Sequence, residues 1–201
     1  MRRLGGDPVL GPILEAHGPI DEQARKHARP ADAYGALVRS ITGQQLSTKA
    51  AATIYGRLAA LFDDRAPTPQ ELLEVDVEQL RAVGLSRAKA AYLRSLAEHV
   101  ISGELAIDRL DQLSDDEVIE RLTAVRGLGT WTAHMFLIFH LGRPDVLPTG
   151  DLGIRRGAQL AYGLEQLPKP AELEALAEPW RPHRTLACLY LWRSLDNQPD
   201  V

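Results

Sequence analysis

Apolar residues recur along this chain at the three- and four-residue intervals of amphipathic helices, and alternating strand patterns are scarce. Start signals accompany the runs. Ser47 heads a run reaching about Phe62, Ser86 heads one to Val100, and Thr68-Pro69-Gln70-Glu71 is a capping box with proline at the first helical position. Ser114-Asp115-Asp116-Glu117 is a second capping box, from which a helix is predicted to run to about Arg126. Further helices are predicted over Asp32 to Thr42, Gly150 or Asp151 to Tyr162, Pro170 to Ala177 and Pro182 to Leu195. The fold class that follows is all-α.

After Arg126 the pattern breaks at Gly127-Leu128-Gly129 and resumes at Thr130, continuing through Trp131, Met135, Ile138 and Leu141. The product is helix, tight hairpin, helix over about 115–141. Gly127 and Gly129 permit left-handed dihedrals and a close approach of backbone to backbone or ligand. Uncovered N–H groups at the start of the second helix suit a phosphate, a contact indifferent to base sequence. Spacing alone describes a plain glycine connection between packed helices equally well. Val83-Gly84-Leu85-Ser86-Arg87-Ala88-Lys89-Ala90 echoes Val125 to Ala133 faintly and reads as another helix connection.

The segment Val125-Arg126-Gly127-Leu128-Gly129-Thr130-Trp131-Thr132-Ala133 resembles the helix-hairpin-helix signature of the DNA glycosylase superfamily. In that superfamily a Gly/Pro-rich loop and an essential Asp follow, and Asp151 in Pro148-Thr149-Gly150-Asp151 matches it. Leu37 to Ala51, with Gln44-Gln45-Leu46-Ser47, resembles the Gln-Gln-x-Ser-x-x-Ala-Ala block of the 3-methyladenine DNA glycosylase II branch. Trp180 to Thr185 with Leu191-Trp192-Arg193 resembles that branch's C-terminal helix, and Asn197-Gln198-Pro199-Asp200 its tail. The resemblance spans roughly residues 20 to 200 and implies a helix-hairpin-helix glycosylase fold, two helical lobes with the active-site cleft between them. Residues 1–201 then form a single helical catalytic core without a separate N-terminal β domain.

Composition bounds the chemistry. With 201 residues and 45% hydrophobic content the chain can bury a core without staples. A single cysteine, Cys188, excludes an intrachain disulfide and a Cys-ligated iron–sulfur cluster, and reads as a small buried hydrophobe. Met135 to Leu141 is too short to span a bilayer and no apolar run follows the basic start, so a soluble, cytoplasmic protein is expected. A net charge of −4 argues against a protein that coats nucleic acid without selection. Lys49, Arg57, Arg87, Lys89, Arg126, Arg155 and Arg156 nonetheless lie in or beside the glycine turns, so polarised charge with a positive groove beside Asp151 is expected. No spacing resembles a zinc site, and His134 and His140 are expected to be structural.

Breaking an N-glycosidic bond builds positive charge on the sugar, which calls for a carboxylate near the anomeric carbon and a placed water. An alkylated purine is already a cationic leaving group, so a strong general acid is less necessary than with ordinary glycosides. By position Asp151 is an N-cap; the resemblance implies that it is also catalytic, and the two roles can coexist. Asp145 is expected to fix the loop through backbone N–H groups. Trp131 stands where branches that nick DNA carry a Schiff-base Lys, which implies a monofunctional enzyme that leaves an abasic site. Core packing is the ordinary alternative for Trp131.

The resemblance further implies a base pocket with aromatic faces from Trp131 and Trp192, which attract a cationic base, and with Met135 where the family often has an aromatic. Trp180 and Arg184 are expected to orient the C-terminal helix. The DNA-binding residues implied are Gly127, Gly129 and Thr130 in the hairpin, with Gln44, Gln45, Leu46, Ser47 and Lys49 in the earlier block. Gln45 or Leu46 would fill the gap left by the flipped base; Gln44 and Gln45 equally suit hydrogen bonds to backbone ahead of the Ser47 cap. A monovalent cation at hairpin carbonyls near Gly127 and Gly129 is a family implication; no other cofactor is expected. The partner is double-stranded DNA containing alkylated bases, 3-methyladenine and 7-methylguanine foremost, bound by a monomer with no membrane. The alternatives are a glycosylase for other damaged or mismatched bases, a non-catalytic helix-hairpin-helix DNA-binding module, and a helical interaction scaffold.

Overall fold

The computed structural model describes residues 2–20 and 32–195. The tail Asn197-Gln198-Pro199-Asp200 lies outside them. Among the described residues all regular structure is helical and no strand occurs. Two compact units are present, one of residues 32–136 and one of residues 2–20 together with 137–195.

In the unit of residues 32–136, short polar side chains start the helices as the sequence predicts. Asp32 caps Ala33–Gly43 by accepting from Gly35 N, Ser47 caps Thr48–Ala60, and Ser86 caps Arg87–Ser102. Both capping boxes form, Thr68 with Glu71 on Pro69–Glu74 and Ser114 with Glu117 on Asp115–Thr123. Each cap satisfies an N–H that the helix itself leaves unpaired. Pro69–Glu74 and Val77–Ala82 pack on Arg87–Ser102, and Ala33–Gly43 packs on both Thr48–Ala60 and Arg87–Ser102. Leu37, Ile41, Leu58, Leu72, Leu93 and Leu96 form the fully buried centre.

In the other unit, Leu10–His17 and Leu152–Ala161 both pack on Arg184–Ser194. Gly153 and Gly157, one turn apart, make the second of these contacts possible. A Cβ on Gly153 would lie 3.0 Å from the Trp192 ring, and one on Gly157 would lie 3.0 Å from Leu191 Cβ and 3.1 Å from its carbonyl oxygen. Polar ties reinforce the packing. Tyr190 donates its hydroxyl to the Gly18 carbonyl at 2.9 Å, and Tyr162 accepts from Trp180 Nε1 at 3.0 Å.

Several expectations about boundaries change. Helix Asp115–Thr123 ends before Arg126, because the chain tightens there: Val125 N donates to Leu122 and Leu128 N to Val125, bonds that span three residues instead of four. Helix Thr130–Met135 does not continue as α-helix to Leu141 but widens into a π-helix over Phe136–Leu141. Met135, Phe136, Leu137 and Ile138 are all buried, which a single apolar stripe could not achieve. Arg2–Gly5, Leu10–His17 and Val77–Ala82 are helices beyond those predicted, the last capped by Asp76, which accepts from Glu78 N. Among the described residues no helix is long and apolar enough to cross a membrane. Cys188 is fully buried, and burial pushes its thiol well above the ordinary range.

Candidate active site and hairpin

The loop that leads to Asp151 is fastened to the start of helix Arg184–Ser194. Asp145 accepts from Arg184 Nε at 2.9 Å and from Arg181 at 2.6 Å, while a second Arg184 guanidinium nitrogen donates to the Asp145 carbonyl at 2.7 Å. Burial opposes the Asp145 charge, but the hydrogen bonds and charge of Arg184, joined by the charge of Arg181, outweigh it and hold the carboxyl below the usual range. Asp145 thus fixes the loop, as expected, but mainly through arginine side chains, with Arg184 N at 3.2 Å as its backbone donor. Thr185 adds a pin that sequence reasoning missed, donating its hydroxyl to Arg143 O and accepting from Val146 N. Arg184 orients the helix start, and Trp180 is buried against Tyr162.

This scaffold delivers Asp151 to the N-cap of helix Leu152–Ala161, where it is buried and accepts from Ile154 N at 2.8 Å. The same carboxylate oxygen accepts from Trp192 Nε1 at 3.0 Å. Trp192 is 2% exposed and stacks on Phe139, with ring centroids 5.9 Å apart. Trp192, expected as a face of the base pocket, is thus buried with its indole N–H given to Asp151. Gly153 is part of the same arrangement, since a Cβ there would lie 3.0 Å from the indole and 3.1 Å from the Asp151 oxygen. Its signal in the sequence was the Gly-x-x-x-Gly spacing with Gly157. A buried carboxylate anchored through one oxygen by two N–H donors is suited to stabilise positive charge that develops beside it.

The hairpin lies in the unit of residues 32–136. Gly127 adopts φ +94°, and a Cβ there would come within 2.1 Å of Tyr92 Cγ, so glycine is required both by backbone and by space. Gly129 differs. Its backbone is extended, φ −99° and ψ 172°, so the left-handed freedom expected there goes unused, and no atom lies within 4 Å of a Cβ added to it. Gly129 and Thr130 are exposed. Trp131, at the first turn of the following helix, is 40% exposed and not a core residue. Met135, expected in the base pocket, is fully buried. His134 is held below the ordinary histidine range by burial, with Asp115 opposing, as a structural histidine would be.

Beside the hairpin, Gln44 Nε2 donates to Gly127 O at 2.9 Å. Lys89 Nζ donates to Thr42 O at 2.8 Å, at the C-terminal end of helix Ala33–Gly43, and burial lowers its affinity for the proton. The turn between these ties projects Gln45, whose φ is +57°, and Leu46, 38% exposed. Ser47 caps the next helix and Lys49 is exposed. A groove of about 430 Å³ runs along this surface, lined by Gln44, Gln45, Ser86, Lys89 and Gly127 to Gly129 among others. Of the basic residues expected on a binding face, Lys89 is turned to Thr42, Arg155 donates to Pro168 O and Arg156 to Gln159, whereas Arg87 and Arg126 are exposed.

Within the hairpin, where the resemblance implies a monovalent cation at carbonyls near Gly127 and Gly129, Gly127 O accepts from Gln44 Nε2 and Gly129 O from Ala133 N, each with a second lone pair left. No chemistry is assigned to a cation here. Among the described residues no group of three or more His, Cys, Asp or Glu could hold a metal ion.

Comparison with known proteins agrees with this geometry. The model of the HhH-GPD superfamily base excision DNA repair protein matches residues 38–182. DNA-3-methyladenine glycosylase 1 of Schizosaccharomyces pombe is 40% identical over 163 residues, covering 80% of this chain and 72% of the relative. The structure of a Schizosaccharomyces pombe 3-methyladenine DNA glycosylase in complex with abasic DNA superposes with a TM-score of 0.87 at 34% identity, covering 97% of this chain and 95% of that one. DNA-3-methyladenine glycosidase of Bacillus halodurans gives 0.82 at 40% identity, covering 96% and 86%. The chain therefore belongs to the HhH-GPD superfamily of base excision DNA repair proteins, on its 3-methyladenine DNA glycosylase branch.

Proposed function

We propose that this protein is a monofunctional DNA glycosylase that removes alkylated purines, 3-methyladenine and 7-methylguanine foremost, from double-stranded DNA and leaves an abasic site. The observation that carries the reading is the Asp151 carboxylate, buried at a helix N-terminus with one oxygen held by Ile154 N and Trp192 Nε1. It is supported by relatives that are themselves 3-methyladenine DNA glycosylases, one of them solved with abasic DNA.

The chemistry assigned to Asp151 is electrostatic and positional. As the bond between C1′ and the base nitrogen stretches, its electron pair goes to the base, whose ring charge is thereby neutralised, and positive charge passes to the sugar. The carboxylate stabilises that charge and directs a water whose oxygen bonds to C1′, the water's proton leaving to the carboxylate and then to solvent. Trp131 has no amine with which to form a Schiff base, so strand cleavage is not part of the cycle. Its exposed ring supplies a π face for a cationic base.

Binding is assigned to the other unit. Gly129 and Thr130 present the N–H end of the hairpin to a phosphate, and open space at Gly129 Cα admits a close approach. Leu46, apolar and exposed, with Gln45 beside it, fills the space left by the extruded base. The working form is a monomeric helical catalytic core acting in the cytoplasm on the DNA there.

Release of free base from methylated duplex DNA tests the reading, with wild type and Asp151→Asn compared and nicks counted before and after alkali. Asn keeps an acceptor for Ile154 N and Trp192 Nε1, so the helix cap survives while the charge is lost. The expected result is release of alkylpurine that disappears in the variant, with nicks only after alkali. Tight DNA binding without release by the wild type would overturn it in favour of a binding module.

A further inference from the structure

Three segments distant in sequence meet at the end of helix Ala33–Gly43. The carbonyls that such an end leaves unpaired are met by Gln44 N at Ile41 O, Leu46 N at Gly43 O and Lys89 Nζ at Thr42 O. Of these, only the Lys89 bond comes from outside the turn. Lys89 belongs to helix Arg87–Ser102, which follows the turn at Gly84, where φ is +109°. That turn matches the hairpin at Gly127 in hand of backbone and in a buried leucine after the glycine, Leu85 and Leu128. From the other side, Gln44 reaches 83 residues along the chain to donate to Gly127 O within the hairpin itself. The Gln45-Leu46 tip is thus tied at its base to the Gly127 turn and to the helix that follows the Gly84 turn, and Gln45 carries a left-handed backbone that an isolated turn disfavours for a side chain of this kind.

We infer that Gln44 and Lys89 are positioning residues for base extrusion: through the Gly127 and Thr42 carbonyls they fix the Gln45-Leu46 tip at a set offset from the phosphate-binding hairpin. The inference rests on the reading of the hairpin and tip given above. A tip that must enter the base stack while the hairpin holds the backbone works only if the separation of the two is constant. Hydrogen bonds to carbonyls supply that constraint without touching the DNA. Neither residue reads sequence or damage, and in this role each acts on the rate of extrusion.

The test uses the full chain with Gln44→Glu, which keeps the shape but has no N–H to donate, and Lys89→Met, which keeps the stem but loses the donor. Each is combined with Leu46→Ala. Two signals are read below the melting temperature of every variant: 2-aminopurine fluorescence beside an abasic-site analogue in duplex DNA, and single-turnover release of alkylpurine across a range of enzyme concentrations. Expected, at enzyme concentrations that saturate the duplex and so remove any difference in affinity, are a reduced fluorescence change and a saturating rate lower by about tenfold. In the Leu46→Ala background, adding Gln44→Glu or Lys89→Met should change the saturating rate by less than about twofold, since the tip through which they act is gone. Wild-type fluorescence and saturating rate in the folded single variants would overturn the inference, as would equal losses in both backgrounds. If the wild type alters fluorescence but releases no alkylpurine, the proposed activity fails while the fluorescence comparison still decides the role of Gln44 and Lys89.

Discussion

Trp192 and Ile154 donate to one and the same oxygen of Asp151, the first from an indole at 3.0 Å and the second from the backbone at 2.8 Å. A carboxylate with two donors on one oxygen has its plane and its tilt set together. Replacing Trp192 with Phe keeps a ring against Phe139 but removes the side-chain donor. We expect base release at saturation to fall by about tenfold to a hundredfold, with a loss of stability of about 2 kcal/mol from the smaller ring. Single-turnover rates alongside urea melts check this, and an unchanged rate in a folded variant would make Trp192 a packing residue only.

The two hairpin glycines should part company on substitution. Gly127→Ala places a methyl within 2.1 Å of Tyr92 Cγ in a left-handed backbone, and we expect a destabilisation of about 3 kcal/mol or more. Gly129→Ala meets no atom within 4 Å and keeps an extended backbone, so the melting curve should hold. Its effect should appear instead as weaker duplex binding, measured by anisotropy, because the methyl occupies space assigned to the phosphate.

Asp145 makes stability depend on acid. Against the cost of burial, Arg184 and Arg181 hold its carboxyl below the usual range, so the folded state binds this proton less readily than the unfolded chain. The contribution is therefore fully present above the unfolded value of about 4 and is lost as pH falls through the lower folded one. At pH 7, Asp145→Asn should cost ~2 kcal/mol in urea melts, and the gap between the two proteins should close as pH is taken below about 3. A gap that persists in acid would assign the cost to shape and not to charge.

Trp131 makes a claim on selectivity. With 40% of its surface exposed, Trp131→Ala should cost stability about 1 kcal/mol at most while lowering release of cationic alkylpurines well below that of the wild type. Comparing 7-methylguanine with a neutral damaged base separates the cation–π contribution from general stacking, since only the cationic base should lose the larger share. Equal losses for both bases would make Trp131 a plain stacking surface.

Much of this was legible in the residues. The caps at Ser47, Thr68, Ser86, Ser114 and Asp151 are local codes, complete within four residues, and all of them form. Contacts between distant segments were not legible. Trp192 behind Asp151 is a bond across 41 residues and Gln44 to Gly127 one across 83, and no spacing rule reports either. Met135 was assigned to the pocket by the resemblance, since a helical residue facing the core and one facing a pocket share the same periodicity; its full burial was not legible. The π turn at Phe136 escaped because apolar residues on four successive positions fit several helical pitches at once.

The division of the chain has a consequence for its synthesis. The unit that carries the hairpin is continuous, residues 32–136, and its last residue is translated before any of residues 137–195 of the other unit. The other unit joins residues 2–20 to residues 137–195, and its central helix, Arg184–Ser194, comes late. Domains fold as units in the order they are translated, and distant pairings wait for their second member. Asp151 is thus translated some forty residues before Trp192 supplies its second donor. On the roles proposed above, the residues of the phosphate-binding hairpin are complete before the Asp151 carboxylate can have both its donors, and a truncation anywhere before Trp192 leaves the first without the second.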